Sequence, residues 1–456
     1  MRRVVKVSRI RIIITIIVVV LTTLLTGCTG KEPNEIAYVV ALGIDSTDDD
    51  NYKITIQYAN TTQISGGASE SGGKAGSEIV DNVTIEAPNI YAGVGLANNI
   101  VSKSFSMSHA KLIVFSKEMA EKGVKDIIET LVRSEEIRPD VFIAVANTTA
   151  NDYLTSVNPE MEVNPAQYYQ LIYQKNQLVG IPDGQLREFF TGLYTDNYDS
   201  ILPVAGVIEG SGGNSQNDDK GQSKDSQNEG SEGSSESLDS FESKSSNEKD
   251  ENEKEKDAEK NTSKYEYDIK NYVGGETAIE KKNKAEAIGA AVFEKDKMVG
   301  ELGEVETEIC KMLKGDYTYS YLTYYNNDTP DIPITVKTTQ QKKPKYKIDT
   351  DKKTVDIELY IESDLYSLPA DYNVENKIED FERDVANYTS SACTEFINNF
   401  TKKYNSDILK LNEKVKYKFL TNNQYNWFKK NVGWSEYKFS VCTNFKVRRT
   451  GLIVRE

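Results

Sequence analysis

The chain has 456 residues, with 55 Lys and Arg against 71 Asp and Glu, one His and a formal net charge of −16. That acidity excludes nucleic-acid binding, which needs clustered Lys and Arg to neutralise phosphates. A single histidine, His109, rules out His-rich metal sites and any second His-based dyad.

Arg2, Arg3, Lys6, Arg9 and Arg11 precede an almost purely aliphatic run from Ile12 to Leu25. At about 14 residues this run is too short to span a bilayer comfortably and has the length of a signal-peptide h-region. It ends in Leu25-Thr26-Gly27-Cys28, which resembles the lipobox of bacterial lipoproteins, where small residues precede a cysteine that is lipidated and becomes the new amino terminus. The resemblance implies that residues 1–27 are a signal peptide and that Cys28 becomes an N-palmitoyl, S-diacylglycerol cysteine. Two or three acyl chains, at about 0.8 kcal/mol per buried methylene, anchor a chain stably. Loss of the five basic leader residues takes the net charge from −16 to about −21, so anionic head groups should repel the body and the covalent anchor matters more.

Past the leader, strand and helix signals are mixed. Tyr38 to Ile44 is a continuous apolar run suited to a buried strand, and Tyr52, Ile54, Ile56 and Tyr58 alternate with polar residues as in a half-buried one. Asp48, Asp49, Asp50 and Asn51 make the turn between them, and the Gly/Ser-rich stretch from Gly66 to Gly76 reads as a loop. Pro88 sits where a helix begins, with Ile90, Val94, Ala97 and Val101 on one stripe. Lys111 to Phe115 is a short strand, Ser116 an N-cap for the turn ending at Gly123, and Val124 to Val132 an amphipathic helix. Val141 to Ala146 returns as a strand. Asn164-Pro165 caps a helix carrying Tyr168, Leu171 and Ile172; Leu186 to Leu193 is another helix, and Ile201 to Ile208 closes this half.

From Gly210 to about Thr262, Leu238 and Phe241 are the only large apolar residues among Ser, Gly, Asn, Gln, Glu, Lys and Asp. Such a segment cannot bury enough apolar surface to offset backbone ordering and is expected to be disordered. Beyond it, Ala287 to Phe293 and Met298 to Leu302 form a hairpin, and Glu304 to Leu313 a helix stopped by Gly315. Tyr317, Tyr319, Tyr321 and Tyr325 share a face, expected to be the packed side of a sheet; Val355, Ile357, Leu359 and Ile361 share another. A long helix runs from Ile378 to Phe400. A last strand points Tyr437, Phe439, Val441, Phe445 and Val447 one way and Lys438, Ser440, Cys442, Asn444, Lys446 and Arg448 the other. Strands outnumber helices, which argues for an α+β fold with multi-domain mixed sheets and packed helices, its two folded halves separated by the insert. The expected divisions are a signal peptide at 1–27, an N-terminal α/β region at 28–208, a disordered acidic insert at 209–284 and a C-terminal α+β domain at 285–456.

The residues carry little chemistry. There is no CxxC, GxSxG, HExxH or P-loop pattern, so neither a metal nor a cofactor is expected and no nucleophile is identifiable. Gly93-x-Gly95 lacks the third glycine of a nucleotide loop and lies in a helical pattern, where close packing explains it better. His109 fits a structural hydrogen bond ahead of a strand. Cys310, Cys393 and Cys442 are an odd set, better read as small half-buried residues than as a bridge, though one disulfide stays open.

Several stretches together resemble one family. Asn34 to Ala37 leads to Ala41-Leu42-Gly43-Ile44-Asp45 and KITIQYAN; then come SHAKLIVFSKEMAEKG, RSEEIRPDVFIAVA, AIGAAVFEKDKMVGEL and KVRRTGLI. In this order behind a lipobox they are similar to the Ger(x)C family of spore germination lipoproteins, the C subunits of spore germinant receptors. The chain departs from the family where Thr29, Gly30 and Lys31 replace a Trp-Asp-Arg, and in the length of its insert. The resemblance implies a non-enzymatic subunit, lipid-anchored on the outer face of the spore inner membrane. It would assemble with A and B type polytopic membrane subunits in a complex responding to small nutrients. Among matched positions, Gly43 and Asp45 would shape a turn, His109 and Lys111 flank a strand, and Arg448 and Gly451 close the last one; the ligand-binding residues are not identified. The competing readings are a solute-binding lipoprotein of a membrane transporter, for which no two-lobe βα repeat is evident, and a cell-envelope hydrolase, for which no nucleophile or metal motif exists.

Overall fold

A computed structural model describes residues 13–17, 35–49, 51–59, 80–158, 165–174, 180–195, 197–208, 271–277, 284–325, 333–367, 377–404 and 406–450. The leader from 18 on, Cys28, the Gly66 to Gly76 stretch, Asn164, the Gly210 to Thr262 insert and Gly451 lie outside the described residues. No described helix is long and apolar enough to cross a membrane.

Elements of the N-terminal half run in the order β1 (Ile36–Ser46), β2 (Tyr52–Ala59), β3 (Val80–Ala87), α1 (Ile90–Ala97), β4 (Ser104–Ser106), β5 (Leu112–Ser116), α2 (Lys117–Lys122), α3 (Lys125–Val132), β6 (Phe142–Ala146), α4 (Ala150–Ser156), α5 (Pro165–Gln174), α6 (Leu186–Thr195) and β7 (Ile201–Val207). After the insert come β8 (Ala285–Glu294), β9 (Lys297–Leu302), α7 (Glu304–Lys314), β10 (Tyr319–Tyr325), β11 (Pro333–Gln340), β12 (Lys345–Asp349), β13 (Thr354–Ser367), α8 (Ile378–Lys403), α9 (Leu411–Val415), α10 (Asn422–Asn431) and β14 (Lys438–Arg449).

The first sheet has nine strands in the order β3-β2-β1-β5-β6-β7-β8-β9, with β4 beside β1. Its centre, β1-β5-β6-β7, is parallel, and both flanks are antiparallel. Parallel strands are covered on both faces, so they read as unbroken apolar runs, as β1, β5 and β6 do. One face carries Leu42, Ile44, Ile113 and Phe115 with α1, α2, α3 and α6; the other carries Val40, Leu112 and Val114 with Tyr153 and Tyr169 of α4 and α5. Each fully buried Leu, Ile or Phe there contributes about 1.5–3 kcal/mol.

The β7–β8 pairing spans the insert, matching Ile201 with Val292 and Val207 with Ala285. The chain therefore completes the first sheet after residue 284 before building the second, β10-β11-β13-β12 with β14 parallel to β13. A shared core joins the sheets: Val292 and Leu302 of the first, Cys310 and Leu313 of α7, Cys393 and Phe400 of α8, Val355 and Ile357 of the second. Gly315 ends α7 in the left-handed conformation at φ 83°, where a side chain would be strained.

Three readings of the pattern need correction. α1 stops at Ala97, because Asn98 caps it and accepts a hydrogen bond from Phe105 N at 2.8 Å, so Val101 lies past the helix. Gly43 and Asp45 form no turn; both lie inside β1. The tyrosine face is not the packed one: Tyr317 precedes β10 and is buried, but Tyr321 is 53% exposed, and Leu322 and Tyr324 face the core. Tyr319 and Tyr321 instead make an edge-to-face chain with Tyr366, with Lys337 over Tyr319 at 4.4 Å.

Candidate functional site

The polar residues that the fold concentrates lie along the seam between the two sheets. Asp199, just before β7, accepts from Lys295 N and Asp407 N, both at 2.9 Å, and its own N–H donates to Asp407 O at 3.1 Å. Asp407 accepts from Leu411 N and Asn412 N at 2.8 Å, closing the start of α9. Lys410 Nζ reaches Glu188 of α6 at 3.1 Å and lies 4.1 Å from the Tyr198 ring centroid. Lys429 donates to Thr195 O and Asn197 Oδ1, each at 3.2 Å. Segments more than 200 residues apart are thus stitched by backbone and side chain together.

Two cavities flank this seam and share Tyr198 and Asp199. One, of about 400 Å³, is lined by Asp183, Glu188, Lys311, Lys314, Asp316 and Lys410. The other, of about 610 Å³, is lined by Lys295, Asp407, Asn412, Lys429 and Trp434 among others. Burial pushes Asp407 up to about 7 despite its two N–H donors, and raises Asp183 and Asp199 above the usual carboxylate range. Burial also holds the Lys311 ammonium down to about 8; its Nζ donates to Ile181 O at 3.0 Å. Burial opposes ionisation of Glu188, but Lys410 and Tyr198 outweigh it and keep that carboxyl low. The lining carries both signs: Lys410 pairs with Glu188 and Lys314 with Asp316, while Asp199, Asp407, Lys311 and Lys429 bond chiefly to backbone groups. It can surround a small polar molecule.

The positions singled out by sequence are dispersed. Asp45 is buried in β1 and accepts from Ala150 N at 2.6 Å and Asn151 N at 3.2 Å, holding the start of α4. Gly43 lies under the same helix, where a Cβ would stand 3.0–3.3 Å from Leu154, Ala150 and Thr55. His109 is exposed, 3.0 Å from Ser108 Oγ and edge-on to Tyr38. Lys111 acts through its backbone, donating to Val40 O and accepting from Phe142 N. Gly93 packs against Ile54, while Gly95 faces open space. Arg448 pairs with Glu362 across β13 and β14. Cys310 and Cys393 are buried free thiols, raised by burial to about 11 and about 12, and Cys442 is exposed and free. No group of three or more His, Cys, Asp or Glu among the described residues is placed to hold a metal ion. The sequence reading missed Asp199, Asp407 and Lys410, because isolated acidic and basic residues carry no local pattern.

These features define a two-sheet α+β protein. Residues 30–207 match the family described as the spore germination protein N-terminal domain, and residues 288–451 match the spore germination B3/GerAC-like C-terminal family. Spore germination protein KC of Bacillus subtilis (strain 168) is 26% identical over 174 residues, covering 35% of this chain and 42% of that protein. Spore germination protein B3 of the same organism is 26% identical over 148 residues, covering 30% and 36%. Spore germination protein GerQC of Bacillus cereus is 27% identical over 104 residues, covering 23% and 29%. The chain thus spans less than half the length of each of these relatives. The crystal structure of the GerBC protein superposes at a TM-score of 0.47 with 15% identity, covering 89% of this chain and 96% of that one. The chain belongs to the Ger(x)C family of spore germination proteins, and neither family description is that of an enzyme.

Proposed function

We propose that this chain is a lipid-anchored, non-catalytic subunit of a spore nutrient-germinant receptor. Its mature body stands on the outer face of the spore inner membrane, held by acylated Cys28, and assembles with A and B type polytopic membrane subunits. The observation that carries this reading is an order of features: Leu25-Thr26-Gly27-Cys28 is followed at residue 30 by the N-terminal family domain and at 288 by the C-terminal one. An acidic body directly behind a lipidation motif is repelled by anionic head groups, so the acyl group would carry its attachment. Residues 1–27 are removed, 28–208 and 285–456 form the folded parts, and 209–284 is an insert between them.

Deletion of the gene tests the role. Spores should lose germination triggered by small nutrients while vegetative growth and solute uptake stay normal. Unchanged nutrient germination would remove the proposal, and a selective uptake defect would favour a solute-binding lipoprotein.

A further inference from the structure

From the geometry around α10 we infer a second membrane contact, a basic and aromatic face at 416–430 that seats on an anionic lipid surface. It goes beyond the acyl anchor and is testable without it. Residues 414–430 contain five lysines and no carboxylate, within a chain of net charge −16. In the same stretch Tyr417 is 80% exposed, Leu420 95% and Trp427 63%. Phe419 turns inward, its ring 5.0 Å from Phe428 and 5.9 Å from Tyr425, which ties the 416–420 segment to α10 while Tyr417 and Leu420 stay exposed. Asp349, the carboxylate facing Lys418, is bridged to Lys352 at 3.8 Å.

Lys414 donates to Leu409 O at 2.6 Å, Lys418 to Ile348 O and Lys429 to Thr195 O and Asn197 Oδ1, so the lysines that extend to head groups are the exposed Lys416 and Lys430. Together with exposed Trp, Tyr and Leu they have the composition of an interfacial membrane contact. Charge complementarity selects an anionic bilayer as the occupant. Lysines near such a surface each strengthen binding about fivefold. Exposed Glu413, at the edge of the stretch, opposes this attraction, while acidic groups farther than a Debye length of about 8–10 Å are largely screened. The proposed anchor keeps the body within reach, since the roughly eight residues from Cys28 to β1 extend no further than about 28 Å.

The test uses the mature chain, residues 28–456, carrying Cys28→Ser so that no acyl chain contributes. It should co-sediment with vesicles containing half phosphatidylglycerol, not with pure phosphatidylcholine, and release as salt is raised. Of the two tryptophans, Trp427 should be quenched by brominated lipid, and Trp427→Phe should abolish that quenching. Trp434 is buried, and its Nε1 donates to Asn412 Oδ1 at 3.2 Å. Lys416→Glu with Lys430→Glu should weaken binding at least about 25-fold, and Leu420→Ser with Trp427→Ser should weaken it comparably. No binding to anionic vesicles, or binding indifferent to these variants, overturns the inference. A photo-crosslinker at residue 420 that captures a protein while vesicles leave the chain unbound would reassign the face to a protein partner and likewise overturn it. Because this chain is unacylated, a negative result leaves the Cys28 reading untouched, and mass spectrometry of Cys28 in the native protein decides that separately.

Discussion

Asp45 and Asp407 are buried carboxylates that close helix starts from outside the helix, one reaching Ala150 and Asn151, the other Leu411 and Asn412. Asp45→Ala removes the acceptor of the buried Ala150 N–H and of the part-buried Asn151 N–H and should cost about 1–3 kcal/mol, read as a lower midpoint in urea unfolding. Asp407 predicts a pH dependence. Its folded-state value near 7 lies above the unfolded carboxylate range, so the folded state holds the proton more tightly. Stability from this group is therefore fully present below about pH 4 and declines as pH rises through 7, by at most about 4 kcal/mol. Asp183 and Asp199 shift the same way. Thermal unfolding should give a lower Tm at pH 7.5 than at pH 5, and Asp407→Asn should flatten that slope; a slope unchanged in the variant would contradict it. Nothing near either residue announces these roles in sequence: Asp45 looks like a turn former because Gly43 precedes it, and its partners lie more than 100 residues downstream.

At the scale of elements, α8 and β14 form a ladder of side chain to backbone. β14 is an edge strand, and its outward N–H groups at Phe439, Val441, Thr443 and Val447 are accepted by Asn398, Thr394, Ser390 and Glu382 at 2.8–3.1 Å. Two strand residues advance about 6.6 Å and four helix residues about 6.0 Å, so the periods stay in step. This covers an edge that would otherwise template aggregation. By this spacing the rung at Phe445 falls at Ala386, whose side chain offers no acceptor and whose carbonyl already takes the Ser390 hydroxyl. Ala386→Ser should supply one and stabilise the protein by about 0.5–1.5 kcal/mol; Thr394→Val, which removes one, should destabilise it by about 1–3 kcal/mol, both measured by urea unfolding. The alternation of β14 and the stripe of α8 are legible in sequence because burial is periodic. Their pairing is not, since the polar residues at 382, 390, 394 and 398 read as an ordinary solvated flank. The parallel centre of the first sheet was equally hidden: β5 and β6 read as strands, but nothing local fixes the direction of their neighbours.

For the whole molecule, the family resemblance and the α+β class were readable because six short stretches keep their order across a long insert. The joining of the two halves was not, because β8 resembles any buried strand and its partner β7 lies on the far side of the insert. That composition predicts rapid nicking by a nonspecific protease between Gly210 and Thr262, with the two fragments remaining associated through the β7–β8 pairing on a sizing column. Resistance there would mean that the insert is ordered or covered. Cys28→Ala should leave an uncleaved precursor or release the body from membranes; full acylation of that variant would refute the anchor. The proposed receptor role is tested most directly by affinity purification of the full-length protein from detergent-solubilised spore membranes. The account predicts co-purification of two polytopic membrane proteins in constant ratio; recovery of the chain alone, or with the subunits of a solute transporter, would contradict it.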